Sequence, residues 1–191
     1  MTILHYFLGF PPKRSGGLTR YAIDLMYEEE SLGHDVIAVY PKMILTKSKI
    51  RFKYKGSIDN VMSYEMVGAL PIPLLYGVKN PSDYMIDYDG SKLAIKNFFD
   101  RVRPDVVHIH TLMGLPVEFL EVAKEMRIRT VFTSHDYYGL CPKLNFIDNE
   151  GHLCEGKDDK RCLACNNTAW SRSLLWLRNS GIMVILKKMI R

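Results

Sequence analysis

Residues 2–40 run TILHYFLGFPPKRSGGLTRYAIDLMYEEESLGHDVIAVY. Thr2 to Leu8 is a short apolar run closed by Gly9, Phe10, Pro11 and Pro12, the pattern of a buried strand ending in a turn. After Ser15-Gly16-Gly17, the residues Leu18, Ala22, Leu25, Met26 and Leu32 recur at helical spacing, and Gly33 is placed to terminate that helix. Val36 to Tyr40 is a second apolar run. Strand, glycine loop, helix and strand make one βαβ unit, and such units build parallel sheets.

Beyond this unit, Ile50, Phe52 and Tyr54 alternate with Arg51, Lys53 and Lys55, which predicts a half-exposed strand. Val61 to Val67 is its partner or the next strand of the sheet. Lys92 to Val102 and Pro116 to Met126 read as helices, and Val106 to His110 and Arg129 to Ser134 as strands. Asp136 to Thr168 is polar, turn-rich and without clear secondary structure, and Trp170 to Arg191 is a helical stretch. The expectation is an α/β fold with one domain over 1–191. It has an open, doubly wound, mainly parallel Rossmann-like sheet, a Cys-rich insertion at 136–168 and a basic C-terminal helix.

Composition bounds the function. The 191 residues are 47% hydrophobic and 25% charged, which excludes a disordered chain. Four cysteines are too few for a disulfide-stapled miniprotein. The net charge of +5 is unevenly spread: 42–55 holds six basic residues and 170–191 five, neither stretch holding an acid, so the remaining body is mildly acidic. A nucleic-acid binder is commonly basic over a whole face, so no nucleic-acid partner is expected. The two basic patches invite peripheral contact with an anionic membrane or an anionic acceptor; a solvated strand edge or helix edge is the competing reading. No leader or membrane-spanning run is visible, which predicts a reducing cytoplasmic setting, on the inner face of the membrane if peripheral.

In doubly wound sheets, ligands sit beyond the carboxyl ends of the strands, where strand order reverses. Gly16 and Gly17 follow the first strand and open a helix, which suits a phosphate or diphosphate cradle as well as a simple turn. His108 and His110 share one face of their strand, with His110 nearer the carboxyl edge and His108 packed between sheet and helix. His135, in Thr133-Ser134-His135-Asp136, reaches toward the same crevice, or it caps a loop with Asp136. A dinucleotide fold needs Gly-x-Gly-x-x-Gly after the first strand and an acid after the second. Here the glycine spacing differs and the second strand ends Tyr40-Pro41, which argues against NAD.

Cys162 and Cys165 form a Cys-x-x-Cys knuckle, with Cys141 and Cys154 upstream in the same loop. Four thiolates suit one structural zinc ion, and a loop of this length needs a staple. Free thiols without metal are the alternative. A zinc-containing module that binds nucleic acid or protein without catalysis is accordingly a second functional reading.

Taken together, the glycine loop 9–17, Gly33-His34-Asp35-Val36, Pro104-Asp105-Val106-Val107-His108-Ile109-His110 and Thr133-Ser134-His135-Asp136 resemble the N-terminal domain of retaining GT-B glycosyltransferases of family 4. The cysteine stretch is similar to a subset of that family, of capsule, exopolysaccharide or lipid-linked glycan type. The resemblance implies transfer of a hexose from a nucleotide-diphosphate sugar to a glycan or lipid-linked acceptor, with retention. It implies that Gly16 and Gly17 approach the donor diphosphate, that His110 is the catalytic-site histidine contacting the transferred sugar, and that His135 and Asp136 line the acceptor side. The family's C-terminal donor-binding domain has no counterpart before Arg191. The expectation is therefore half of a longer enzyme, inactive by itself.

Overall fold

The computed structural model describes residues 1–42, 49–74, 90–141, 143–156 and 158–178, together with residues 77, 79, 180 and 183. The opening unit is β1 (Thr2–Tyr6), α1 (Gly17–Ser31) and β2 (Asp35–Pro41). A hairpin of β3 (Arg51–Ile58) and β4 (Val61–Val67) follows, then α2 (Ser91–Val102), β5 (Val106–Ile109), α3 (Val117–Glu125) and β6 (Arg129–Phe132). Two short helices, α4 (Asp159–Asn166) and α5 (Arg172–Arg178), complete the described chain.

All six strands form one sheet in the order β3-β4-β2-β1-β5-β6. Every pairing is parallel except that of β3 with β4. The chain moves outward from β1 through β2 to β4, then crosses to β5 and β6 on the other side of β1. Strand order thus reverses between β1 and β5, which makes their carboxyl ends the switch point of a doubly wound sheet. The expected α/β architecture is the one observed. Val61–Val67 fills both roles expected of it, pairing antiparallel with β3 and parallel with β2.

Burial follows the period of the strands. Leu4 and Tyr6, Ile37 and Val39, and Val107 and Ile109 face α2 and α3, where they pack with Ile95, Phe98, Phe99 and Phe119. Phe52 of the edge strand stacks on Phe98 at 3.9 Å, and Phe99 meets Phe119 edge-on at 4.9 Å. Burying each such ring stabilises the fold by about 1.5–3 kcal/mol. The opposite face buries Phe7, Val36, Ala38 and Val61 against Ala22 and Met26 of α1.

Three expectations sharpen. The 136–168 segment is not devoid of structure: Ile147 and Leu153 form a bridge, and Asp158 caps α4 by accepting from the Arg161 amide. Helix α4 buries no residue, so it shows no apolar periodicity that would reveal it. Arg51, Lys53 and Lys55 are exposed on β3, while residues 43–48 of that basic patch lie outside the described residues. Of the expected C-terminal helix, α5 is observed with Leu175 fully buried; residues 179, 181–182 and 184–191 lie outside the described residues. Among the described residues, no helix is long and apolar enough to cross a membrane.

Candidate active site

β1 and β5 place His5 directly opposite His108 in register. His110 lies one step past β5, its amide bonded to the Tyr6 carbonyl at 2.9 Å, on the same face as His108. The three rings form a triangular cluster across the two strands, with His108 and His110 centroids 4.2 Å apart and His5 about 5 Å from each. All three are buried. Their closest ring nitrogens lie within 4.8 Å of one another.

Hydrogen bonds order the row. Glu29 of α1 takes His5 Nε2 at 2.6 Å, His5 Nδ1 meets His110 Nε2 at 3.0 Å, and His110 Nδ1 meets His135 Nε2 at 3.4 Å. His108 Nε2 meets the Thr133 hydroxyl at 2.7 Å. Five of the six ring nitrogens in the row are thereby engaged within the protein. Tyr21 of α1 roofs the cluster, edge-on to His110 at 5.9 Å and to His135 at 4.9 Å. His110 is only 1% exposed, covered in part by His135 and Tyr21.

Burial disfavours the charged forms of His108, His110 and His135. Burial, reinforced by His108, His5 and His135, pushes His110 down to about 2. Burial and His5 push His108 down to about 4, against the opposing pull of Glu29. Burial also lowers His135, opposed by Asp136. Neutral imidazoles donate with one nitrogen and accept with the other, so the row is suited to orienting hydroxyl groups rather than to holding positive charge.

Beside the row, the glycine loop enters α1. Gly16 is the helix N-cap, with φ 120 and ψ 174, and no side chain caps the helix. That conformation is essentially restricted to glycine. A Cβ at either Gly16 or Gly17 would meet nothing within 4 Å, so open space lies in front of both. Hollows of about 340 and 500 Å³ flank the loop, one reaching Lys42 and Glu65, the other Thr19 and Tyr27. Arg14 of the same loop is pushed down to about 10 by burial and by Arg178 of α5, with Tyr6 opposing. It therefore stays cationic at neutral pH, beside a helix N-terminus that itself favours anions.

His110 and His135 thus come together, and Tyr21 of α1 joins them to the helix that Gly16 and Gly17 open. Asp136 is placed differently in kind: its carboxylate accepts from the Tyr138 amide at 2.9 Å and shapes the turn after His135. The sequence reading missed His5, Glu29, Tyr21 and Thr133. His5 is hidden inside an apolar run, and only the β1–β5 register brings it to His110. Glu29 was detectable, because it continues the inward helical series Ala22, Met26.

The family model described as Glycosyltransferase Family 4 matches residues 15–151, well over half of the chain. The chain belongs to glycosyltransferase family 4. The matched span of this family 4 domain holds the glycine pair, Glu29, His110, His135 and Cys141, and leaves out His5 and the other three cysteines. A curated relative, an "Uncharacterized 42.6 kDa protein in cps region" of Klebsiella pneumoniae, is 31% identical over 72 residues. That alignment covers 37% of the family 4 chain and 19% of the relative, so the chain spans under a fifth of that relative's length.

Proposed function

We propose that this chain is the acceptor-side half of a hexosyltransferase that uses a nucleotide-diphosphate sugar and retains anomeric configuration. The observation that carries the reading is the placement of the histidine row at the switch point, next to an uncapped helix N-terminus with open space before Gly16 and Gly17. In this reading, the bond from the anomeric carbon to the diphosphate breaks and its electron pair leaves with the diphosphate. The acceptor oxygen bonds to the same face of that carbon, and its proton passes to the departing diphosphate. The amides of the first turn of α1 and the nearby Arg14 stabilise the charge that develops on the leaving group. His110 orients the sugar hydroxyls, and His135 faces the acceptor.

The rest of the cleft is proposed to come from a second, donor-binding domain. The relative's cps-region setting favours a polysaccharide or lipid-linked acceptor. Arg51 and Lys53, exposed on the open edge of β3, favour an acceptor that is anionic or held at an anionic membrane surface.

The test is to incubate the full-length protein with a panel of nucleotide-diphosphate sugars and glycan or lipid-linked acceptors, and to follow diphosphonucleotide release and product anomer by NMR. A product with the donor's anomeric configuration is expected. Inversion would overturn retention, and the absence of acceptor-dependent release with every donor would overturn the transferase reading.

A further inference from the structure

The cysteine segment forms a small structure of its own beyond β6. The bridge between Ile147 and Leu153 brings the chain back on itself, and the Cys154 amide bonds to the Phe146 carbonyl at 2.6 Å. Asp148 organises the turn between them, accepting from the amides of Glu150 and His152 at 2.9 Å each. Helix α4 packs against this hairpin through Asn149, whose side-chain amide donates to the Ala164 carbonyl at 3.3 Å and whose oxygen accepts from Thr168 at 3.1 Å. Cys162 and Cys165 are three residues apart on α4 and so share one helix face.

All four cysteines line one pocket of about 20 Å³ between the hairpin and α4. That is space for a single atom-sized occupant. All four are half-buried free thiols.

We infer that Cys141, Cys154, Cys162 and Cys165 bind one zinc ion in the pocket between the 147–153 hairpin and α4. Cys141 from the turn after Tyr137, Cys154 from the end of the hairpin and the Cys-x-x-Cys pair of α4 make a suitable donor set for a closed, four-sulfur structural site. Among the described residues, the metal-capable atoms within 4.8 Å of one another are those of His5, His108 and His110, not the sulfurs. Zinc must therefore draw the thiolates inward, to Zn–S distances of about 2.3 Å. The segment has little else to hold it, since α4 buries no side chain. The ion also reaches the active-site side of the domain: the Cys141 amide bonds to the Tyr137 carbonyl at 2.8 Å, two residues beyond His135. Closing the metal site fixes the turn on which His135 stands.

Metal analysis tests this without any assay of glycosyl transfer, so it can fail independently of the transferase reading. Full-length protein purified under reducing conditions and supplied with zinc should hold about one equivalent per chain. Cobalt added to the metal-free protein should give the sulfur-to-metal charge-transfer absorption of a tetrahedral thiolate site. The double variant Cys162→Ser with Cys165→Ser should lose the metal, while His152→Ala should keep it. Because the cysteine variant could misfold, the wild-type protein is also tested: all four thiols should resist alkylation until a chelator is added. Far less than one equivalent after zinc supply, absence of the cobalt–thiolate absorption, or a full equivalent retained by the double cysteine variant would each overturn the site.

Discussion

His5 Nδ1 stands 3.0 Å from His110 Nε2, across strands whose partners lie more than a hundred residues apart in sequence. Glu29 takes His5 Nε2 at 2.6 Å, and His110 Nδ1 in turn meets His135 Nε2 at 3.4 Å. The carboxylate of α1 thereby constrains, through His5, a ring that it does not touch.

Glu29→Ala in the full-length enzyme should release this constraint. The tautomer balance of His110 should shift, read from ¹⁵N chemical shifts, and turnover should fall several-fold. An unchanged tautomer together with unchanged turnover would show that Glu29 has no influence on His110.

His110→Ala should lower turnover by roughly tenfold or more, as loss of a positioning contact does. Circular dichroism on the same preparation should show native secondary structure. Near wild-type rates with the correct donor would remove His110 from the sugar-contacting role.

Gly16 and Gly17 should behave differently on substitution. Gly16→Ala places a side chain in a glycine-only conformation and should destabilise the domain by about 1–3 kcal/mol, read by denaturant melts. Gly17→Ala meets no atom within 4 Å and should leave stability nearly unchanged while raising KM for the nucleotide-sugar. Unaltered donor kinetics in Gly17→Ala would show that the donor does not approach this turn.

Stability should fall as pH is lowered below 6.5. His108 is held at about 4 in the folded protein against 6.5 for an ordinary histidine. Between those values the unfolded chain binds a proton that the folded chain does not, which costs up to about 1.4 kcal/mol per pH unit for each such group. The window for His110 extends lower, to about 2, and above 6.5 neither ring contributes a slope. Melting temperatures of wild type and His108→Gln, followed from neutral pH to about pH 4.5, should diverge, with the wild type falling more steeply. Parallel curves would contradict the shift.

Much of this architecture was legible from local chemistry. Gly9 to Pro12, Gly16-Gly17 and Gly33 punctuate apolar runs of strand and helix period, and the switch point follows once the βαβ unit is recognised. His110 and His135 could be found because they stand at strand ends. His5 could not, since its significance arises from strand register and no short-range pattern encodes that pairing. Glu29 sits in a run of three glutamates, and only the phase set by Ala22 and Met26 distinguishes the inward one. Helix α4 was missed for the opposite reason: with nothing buried, it has no period to read, and its Asp158 cap is the sole local sign.

β1, which carries His5, lies inside the sheet with β2 on one side and β5 on the other. The strands carrying the histidine row are thus among those expected to open last and exchange their amides most slowly. Adjustment to a substrate must then come from the loops around the row, at 9–16 and after His135. In the proposed reaction, the row itself serves as a fixed datum, against which the sugar is brought into position.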